Sequence, residues 1–144
     1  ALMSIRMQKK RLDISAAAVD YLQLLKLPVS TSRERSVAEA SSAFKRLSME
    51  LDIPIFVVAH LNRSCEFREN KRPILSDLRD SGQIEQDADA VLFVYRHAVY
   101  DTDYPDPSEA EVIVRAQRNG PTGTAFCRWE PGIGWFKGRG EMGR

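Results

Sequence analysis

Several things are scarce in these 144 residues, and each scarcity removes a class of protein. Only two cysteines occur, Cys65 and Cys127, with neither the number for a disulfide framework nor the spacing of a metal site. They read as reduced thiols of a cytosolic protein. No apolar run approaches the roughly 20 residues that span a bilayer. The segment 1–11, ALMSIRMQKKR, is charged and lacks the apolar block of a secretory signal. An excess of one charge is absent too: 21 Lys and Arg stand against 20 Asp and Glu, a net of +1. Any contact with nucleic acid must therefore come from a local patch, because no global field would draw it in. Internal repeats are also missing. What remains, 43% hydrophobic and 28% charged, is ordinary for one soluble domain large enough to bury a substantial core.

The chain is organised around ISAAAVDYLQLL, residues 14–25. Its small and apolar run predicts a buried strand over 14–20 that ends at Asp20. A carboxylate at the C-terminal end of such a strand lies where open parallel sheets bind ligands, although aspartate also serves simply to cap a turn. Before it, 1–11 reads as a basic amphipathic helix with Leu2, Ile5 and Met3 on one face. After it, 26–32 is a loop punctuated by Pro28. Ser32 then caps a helix over 33–51 whose apolar residues Val37, Ala40, Phe44, Leu47 and Leu51 recur at spacings of three and four. Ile55–Ala59 is a second buried strand, which gives strand, helix, strand, the pattern of a parallel sheet covered by helices. The run 61–75 is polar and cationic, with Arg63, Arg68, Lys71 and Arg72, and reads as an exposed loop. Short helical stretches follow at 76–79 and 84–88. Ala90–Tyr95 is expected as a third buried parallel strand, and 97–107 as an acidic loop. Strands at 110–115 and 124–129 flank the turn signal Asn119-Gly120-Pro121-Thr122-Gly123, with a last short strand at Trp135-Phe136. The fold class is α/β, a mostly parallel sheet flanked by helices with a C-terminal antiparallel hairpin. Residues 1–137 form the domain and 138–144 a flexible tail.

Four runs in this order, VDYLQLL (19–25), LNRS (61–64), KRPILSDLRDSGQIEQDADAVLFVYR (71–96) and QRNGPTGT (117–124), resemble the C-terminal ATPase domain of DnaB-type replicative helicases, which is RecA-like and hexameric. The resemblance covers residues 12–136, and the block SDLRDSGQIEQDAD is its most specific part. It implies an ATP-driven 5′-to-3′ helicase that translocates on single-stranded DNA as a homo-hexameric ring and unwinds duplex DNA at the replication fork. ATP and Mg²⁺ are the implied cofactors. Primase and a helicase loader are the implied partners, in the cytoplasm of a bacterium or a phage-infected host.

The resemblance also assigns residues. Asp20 becomes the Walker-B aspartate, which holds the Mg²⁺ that bridges the terminal phosphates. His60 stands where the family carries a γ-phosphate sensor, commonly glutamine; otherwise it is a structural histidine at a strand end. Arg118, with Gln117 beside it at the nucleotide, matches an arginine finger that reaches a neighbouring subunit's nucleotide; the plainer role is a solvated arginine before a hairpin. Where the family has a lysine two residues before the finger, this chain has Ala116. Arg115 faces the other way if the strand is regular, so a second cation requires a slipped register. Arg79, Asp80 and Gly82 match positions that touch DNA phosphates, with Arg63 and Arg72 among the cations that would add to the patch. Asp80 is equally placed to pair with Arg79. No G-x-x-x-x-G-K-[ST] stretch occurs, so no backbone cradle for phosphates is present. With Ala1 in place of a starting Met, the chain reads as the C-terminal portion of a helicase domain and is expected to be inactive alone. The alternatives are a non-catalytic RecA-like DNA-binding or assembly module and, last, a recombination ATPase of the same fold.

Overall fold

The computed structural model describes residues 1–25, 32–78 and 82–138. The chain divides into two units, one comprising 1–62 and 76–88, the other 63–75 and 89 onward.

The first unit is built on one long helix. Ser32 is extended, and its hydroxyl accepts a hydrogen bond from the Arg35 N–H at 3.2 Å, satisfying one of the donors a helix start leaves open. From there α2 runs Arg33–Leu51 and stops at Asp52, in the left-handed region at φ 51°. The expected span and stripe are both present: Val37, Ala40, Phe44 and Leu47 are buried, and Leu51 packs at the margin. The first helix, α1 (Leu2–Leu12), presents Ile5 to the same core and Leu2 to its edge, while Met3 is 76% exposed and lies off the expected face. Arg6 ties α1 to α2 through two hydrogen bonds to Glu50, at 2.6 and 2.8 Å. Strands β1 (Ala17–Val19) and β2 (Ile55–Val57) pair in parallel, Val19 opposite Val57, and Val19, Leu22 and Ile53 complete the core. Both strands are shorter than their apolar runs. Phe56 and Val57 are 64% and 37% exposed, so β2 is not buried on both faces. A short helix, α3 (Gly82–Asp87), packs on α2.

In the second unit β3 (Ala90–Tyr95), β4 (Glu109–Gln117), β5 (Gly123–Glu130) and β6 (Trp135–Gly138) form one antiparallel sheet in that order. The expectation of a third parallel strand is therefore corrected. β3 takes its hydrogen bonds from β4, antiparallel, and the parallel pair among the described residues is β1 with β2. The apolar run AVLFVY gave no sign of this, because it buries only Val91, Phe93 and Tyr95 and leaves Leu92 and Val94 more than half exposed. Residues 118–122 join β4 to β5, overlapping the expected turn at 119–123. β6 runs through Gly138, and tail residues 139–144 lie outside the described residues, as do loop residues 26–31. Both cysteines are buried, and neither forms a disulfide. Among the described residues no helix is long and apolar enough to cross a membrane.

The burial pattern yields a direct expectation. Leu47 has no exposed surface, so Leu47→Ala removes a well-packed side chain and leaves a cavity, costing about 3 kcal/mol. Met49, on the same helix but 70% exposed, changes stability by less than about 0.5 kcal/mol when truncated. Denaturant titration followed by circular dichroism separates the two.

Candidate functional site

In the first unit, two of the expected site residues stand at neighbouring strand ends. Asp20 directly follows β1, His60 lies just beyond β2, and both are exposed. The backbone pairing continues past the strands, with Val58 N–H donating to the Val19 carbonyl at 2.9 Å and Leu22 N–H to the Val58 carbonyl at 2.9 Å. Two side chains lock the pair of ends together. The Tyr21 and His60 rings stack with centroids 3.9 Å apart, and the Gln23 side-chain carbonyl accepts from the His60 N–H at 3.2 Å. That bond fixes the orientation of the Gln23 amide, whose Nε2 is then buried with no acceptor among the described residues. The Asp20–Tyr21 peptide is cis. The result is a carboxylate and an imidazole held at the C-terminal edge of a parallel pair, the edge where such sheets bind ligands.

Mg²⁺ takes hard oxygen ligands and keeps several waters, binding through one or two carboxylates plus the phosphates of a substrate. Asp20 fits as one such ligand for an ion delivered with a nucleotide. It does not make a metal cage: among the described residues no three His, Cys, Asp or Glu side chains converge on a metal position.

The second unit holds the other expected residues. Gln117 ends β4 opposite Ala90, and Arg118 follows it. Arg118 N–H donates to the Asp89 carbonyl at 2.9 Å, and its guanidinium lies 3.5 Å from the Asp89 carboxylate with the side chain 55% exposed. Gly120 leaves room for the Gln117 side chain, which a Cβ there would meet at 2.8 Å. The strand is not regular. Val91 faces Ala116, yet Leu92 faces Val114, so Arg115 is the extra residue of a β-bulge. The slipped register considered above is thus present, but Arg115 Nε donates to the Pro73 carbonyl at 3.2 Å.

Of the cationic loop, Arg63 is exposed, while Arg72 is engaged within the unit. Its Nε donates to both Glu111 oxygens at 2.9 and 3.1 Å and its Nη2 to Oε1 at 2.6 Å, with the guanidinium 5.0 Å from the centre of the Tyr95 ring. The hydrogen bonds to Glu111 hold the Arg72 guanidinium above its ordinary pKa. Lys71 donates to the carbonyls of Glu66 and Arg68, and Arg68 to those of Asn70 and Arg72. Gly82 opens α3 with free space where a Cβ would stand. Arg79 and Asp80 lie outside the described residues.

A model of the family described as the DnaB-like helicase C terminal domain matches residues 1–138. The chain belongs to this family. The replicative DNA helicase DnaB of Haemophilus influenzae is 45% identical over 138 residues, which is 95% of this chain and 30% of that protein. DnaB of Leifsonia xyli is 45% identical over 120 residues, 83% of the chain and 26% of that protein. The chain thus spans less than a third of the DnaB relatives it matches. Among solved structures, an ATPase domain superposes with a TM-score of 0.86 at 36% identity, covering 94% of this chain and 49% of that one. A DnaB-like replicative helicase, solved with its interactions with primase, gives the same score and identity over 94% of this chain and 34% of its own.

Within this DnaB-like domain, two acidic residues, Glu111 and Asp87, and one amide, Gln23, have roles that no sequence pattern marks. Asp77 and Glu111 are 1% and 3% exposed, the buried charged residues among those described. Gln23 lies in the run VDYLQLL, where an amide between leucines carries no chemical signal. Asp87 closes the SDLRDSGQIEQDAD block structurally: its carboxylate accepts from Ser42 Oγ at 2.9 Å and from Gln83 Nε2 at 3.0 Å, fastening α3 to α2. Burial alone would raise its pKa, but the bonds from Gln83, Ser42 and Ser41, together with the charge of Arg46, outweigh that and hold it below its ordinary 3.8.

The sign of that shift sets a pH dependence. A carboxyl whose folded pKa is depressed adds stability above its unfolded pKa, and that stability is lost as pH falls through the folded value. Asp87→Asn should therefore lower stability at neutral pH and flatten the acid limb below about pH 5, with the two curves converging once the pH has fallen through the folded pKa of Asp87. Denaturant midpoints measured across that range test it; parallel curves would remove Asp87 from this role.

Proposed function

We propose that this chain is the C-terminal portion of the motor domain of an ATP-dependent replicative DNA helicase, which works as a homo-hexameric ring on single-stranded DNA and unwinds duplex DNA at the fork. The observation that carries the reading is the pairing of Asp20 and His60 at adjacent strand ends, fixed by the Tyr21 stack and the Gln23 bridge, in a chain of the DnaB-like family. In this reading Asp20 helps hold Mg²⁺ on the bound ATP, which supplies the phosphoryl group to be cleaved. His60 hydrogen-bonds the terminal phosphate and passes its loss to the chain beyond β2. Arg118, with Gln117 beside it, reaches the nucleotide of a neighbouring subunit, where charge builds up as the phosphoryl group leaves.

Arg79, Asp80, Gly82 and Arg63 contact the DNA backbone. Arg72 adds charge to that surface only through the part of its guanidinium not given to Glu111. Primase and a loader are the expected partners; the solved DnaB-like helicase with primase supports the first. Lacking a P-loop, the present chain alone neither hydrolyses ATP nor unwinds DNA. A non-catalytic module of the same fold is the reading this one displaces.

The test is single-stranded-DNA-stimulated ATP hydrolysis by the full-length parent. Arg118→Ala should lower turnover by about a hundredfold or more. Mixing it with a parent whose Walker-A lysine is replaced should recover part of the rate, because each mutant then supplies what the other lacks. Near-normal rates in Arg118→Ala would remove the finger. A wild-type parent with no hydrolysis would leave the binding module standing.

A further inference from the structure

The second unit contains both the cationic loop and the strand that carries Arg118, and it joins them in a particular way. Residues 63–73 are not a loose coil: Cys65 is buried, Lys71 and Arg68 cross-link the segment through its own carbonyls, and the Arg72 N–H donates to Asn70 Oδ1 at 3.1 Å. This stiffened loop is then fastened to β4 at two points. Arg72 grips Glu111 through three hydrogen bonds, and Arg115 donates to the Pro73 carbonyl at 3.2 Å. Three residues further on, the Arg118 N–H to Asp89 bond closes the same ladder. Loop, β4 and the root of Arg118 are therefore parts of one hydrogen-bonded body.

We infer that Glu111 and Arg115 are positioning residues that make the base of Arg118 move with the 63–73 loop, so that DNA held by the loop sets the reach of the finger. The inference rests on the helicase reading above. Bidentate bonds between charged groups resist angular displacement as well as separation, so a loop held by Glu111 cannot pivot independently of β4. Arg115 adds a second point beyond it along the strand, and two fixed points suppress rotation about either. Neither residue touches nucleotide or DNA in this scheme. Their contribution is to the coupling between the two ligands, a quantity distinct from the affinity for either.

The experiment compares ATP hydrolysis by the full-length parent with and without single-stranded oligonucleotide, alongside oligonucleotide affinity. Arg115→Ala should leave the DNA-free rate and the DNA affinity within about twofold of wild type, while the stimulation ratio falls about fivefold or more. Arg115→Lys, whose ammonium can still donate to the Pro73 carbonyl, should recover most of the ratio. Glu111→Gln keeps the shape and an acceptor but loses the charge, and should also depress the ratio. Three outcomes overturn the inference while leaving the helicase reading intact: an unchanged ratio in Arg115→Ala and Glu111→Gln, basal and stimulated rates that fall in proportion, or a loss of DNA affinity that accounts for the lost stimulation. If the wild-type parent shows no stimulation by DNA at all, the helicase reading fails, and this inference with it.

Discussion

Glu111 is 3% exposed, and a carboxylate at that depth must be met by donors and opposite charge or it would oppose folding by several kcal/mol. The antiparallel unit is arranged to meet it. Arg72 arrives from a separate segment, delivers three hydrogen bonds, and leaves its outer face on the Tyr95 ring. A pair of this kind is a weak source of net stability, because desolvation cancels much of the attraction. Its value lies in geometry. An arginine fork accepts few alternative poses on a carboxylate, so meeting the buried charge also fixes where residues 63–73 sit against β4. The internal bonds of Lys71 and Arg68 then make sense as stiffening: a clamp at one residue positions a loop only if the loop holds its own shape.

The same division between holding and reacting runs through the first unit. α2 packs the core, and Ser42 on its flank holds Asp87, which steadies the short α3 behind Gly82. Gln23 and Tyr21 keep the two strand ends in register with each other. Asp87 and Glu111 are each hydrogen-bonded to another element of their unit and hold the fold together, whereas Asp20 stands exposed at a strand end. Burial and bonding thus separate acidic residues that look alike in the sequence.

Much of the fold was legible because its signals are local. Ser32 followed by apolar residues at threes and fours gave α2 to the residue, and AVLFVY between polar flanks gave the limits of β3. What those signals omit is the partner of each element. An all-apolar strand reads the same whether its neighbour is parallel or antiparallel, so AVLFVY by itself does not reveal the antiparallel pairing of β3. The site was legible as a set of residues, through the family runs, but not as a set of contacts. Arg72 lies among polar neighbours in NRSCEFRENKRP and reads as solvated, while Glu111 occupies a strand beginning where a charged residue ordinarily faces water. Their meeting depends on residues 39 apart in sequence, and no pattern within either segment announces it. The bulge at Arg115 was equally silent, having no glycine to mark it, yet it decides which face every later residue of β4 presents.

Asp20, His60, Arg63 and Arg118 share one property: each is exposed. For a cation proposed to act on a polyphosphate, exposure follows from electrostatics. A charge already desolvated and paired inside the domain has spent its field on that partner, and an approaching phosphate would have to compete for it, as it would for Arg72. A charge left in water is worth little at rest, about 1 kcal/mol against an opposite charge at about 4 Å, but several-fold more once a ligand or a second protein surface excludes the solvent. On the helicase reading, Arg118 is weak against exposed Asp89 and strong only when a neighbouring nucleotide site closes over it. On that reading Arg118 takes effect only through another subunit, and a ring in which each subunit completes the next is the assembly that such an arginine would fit.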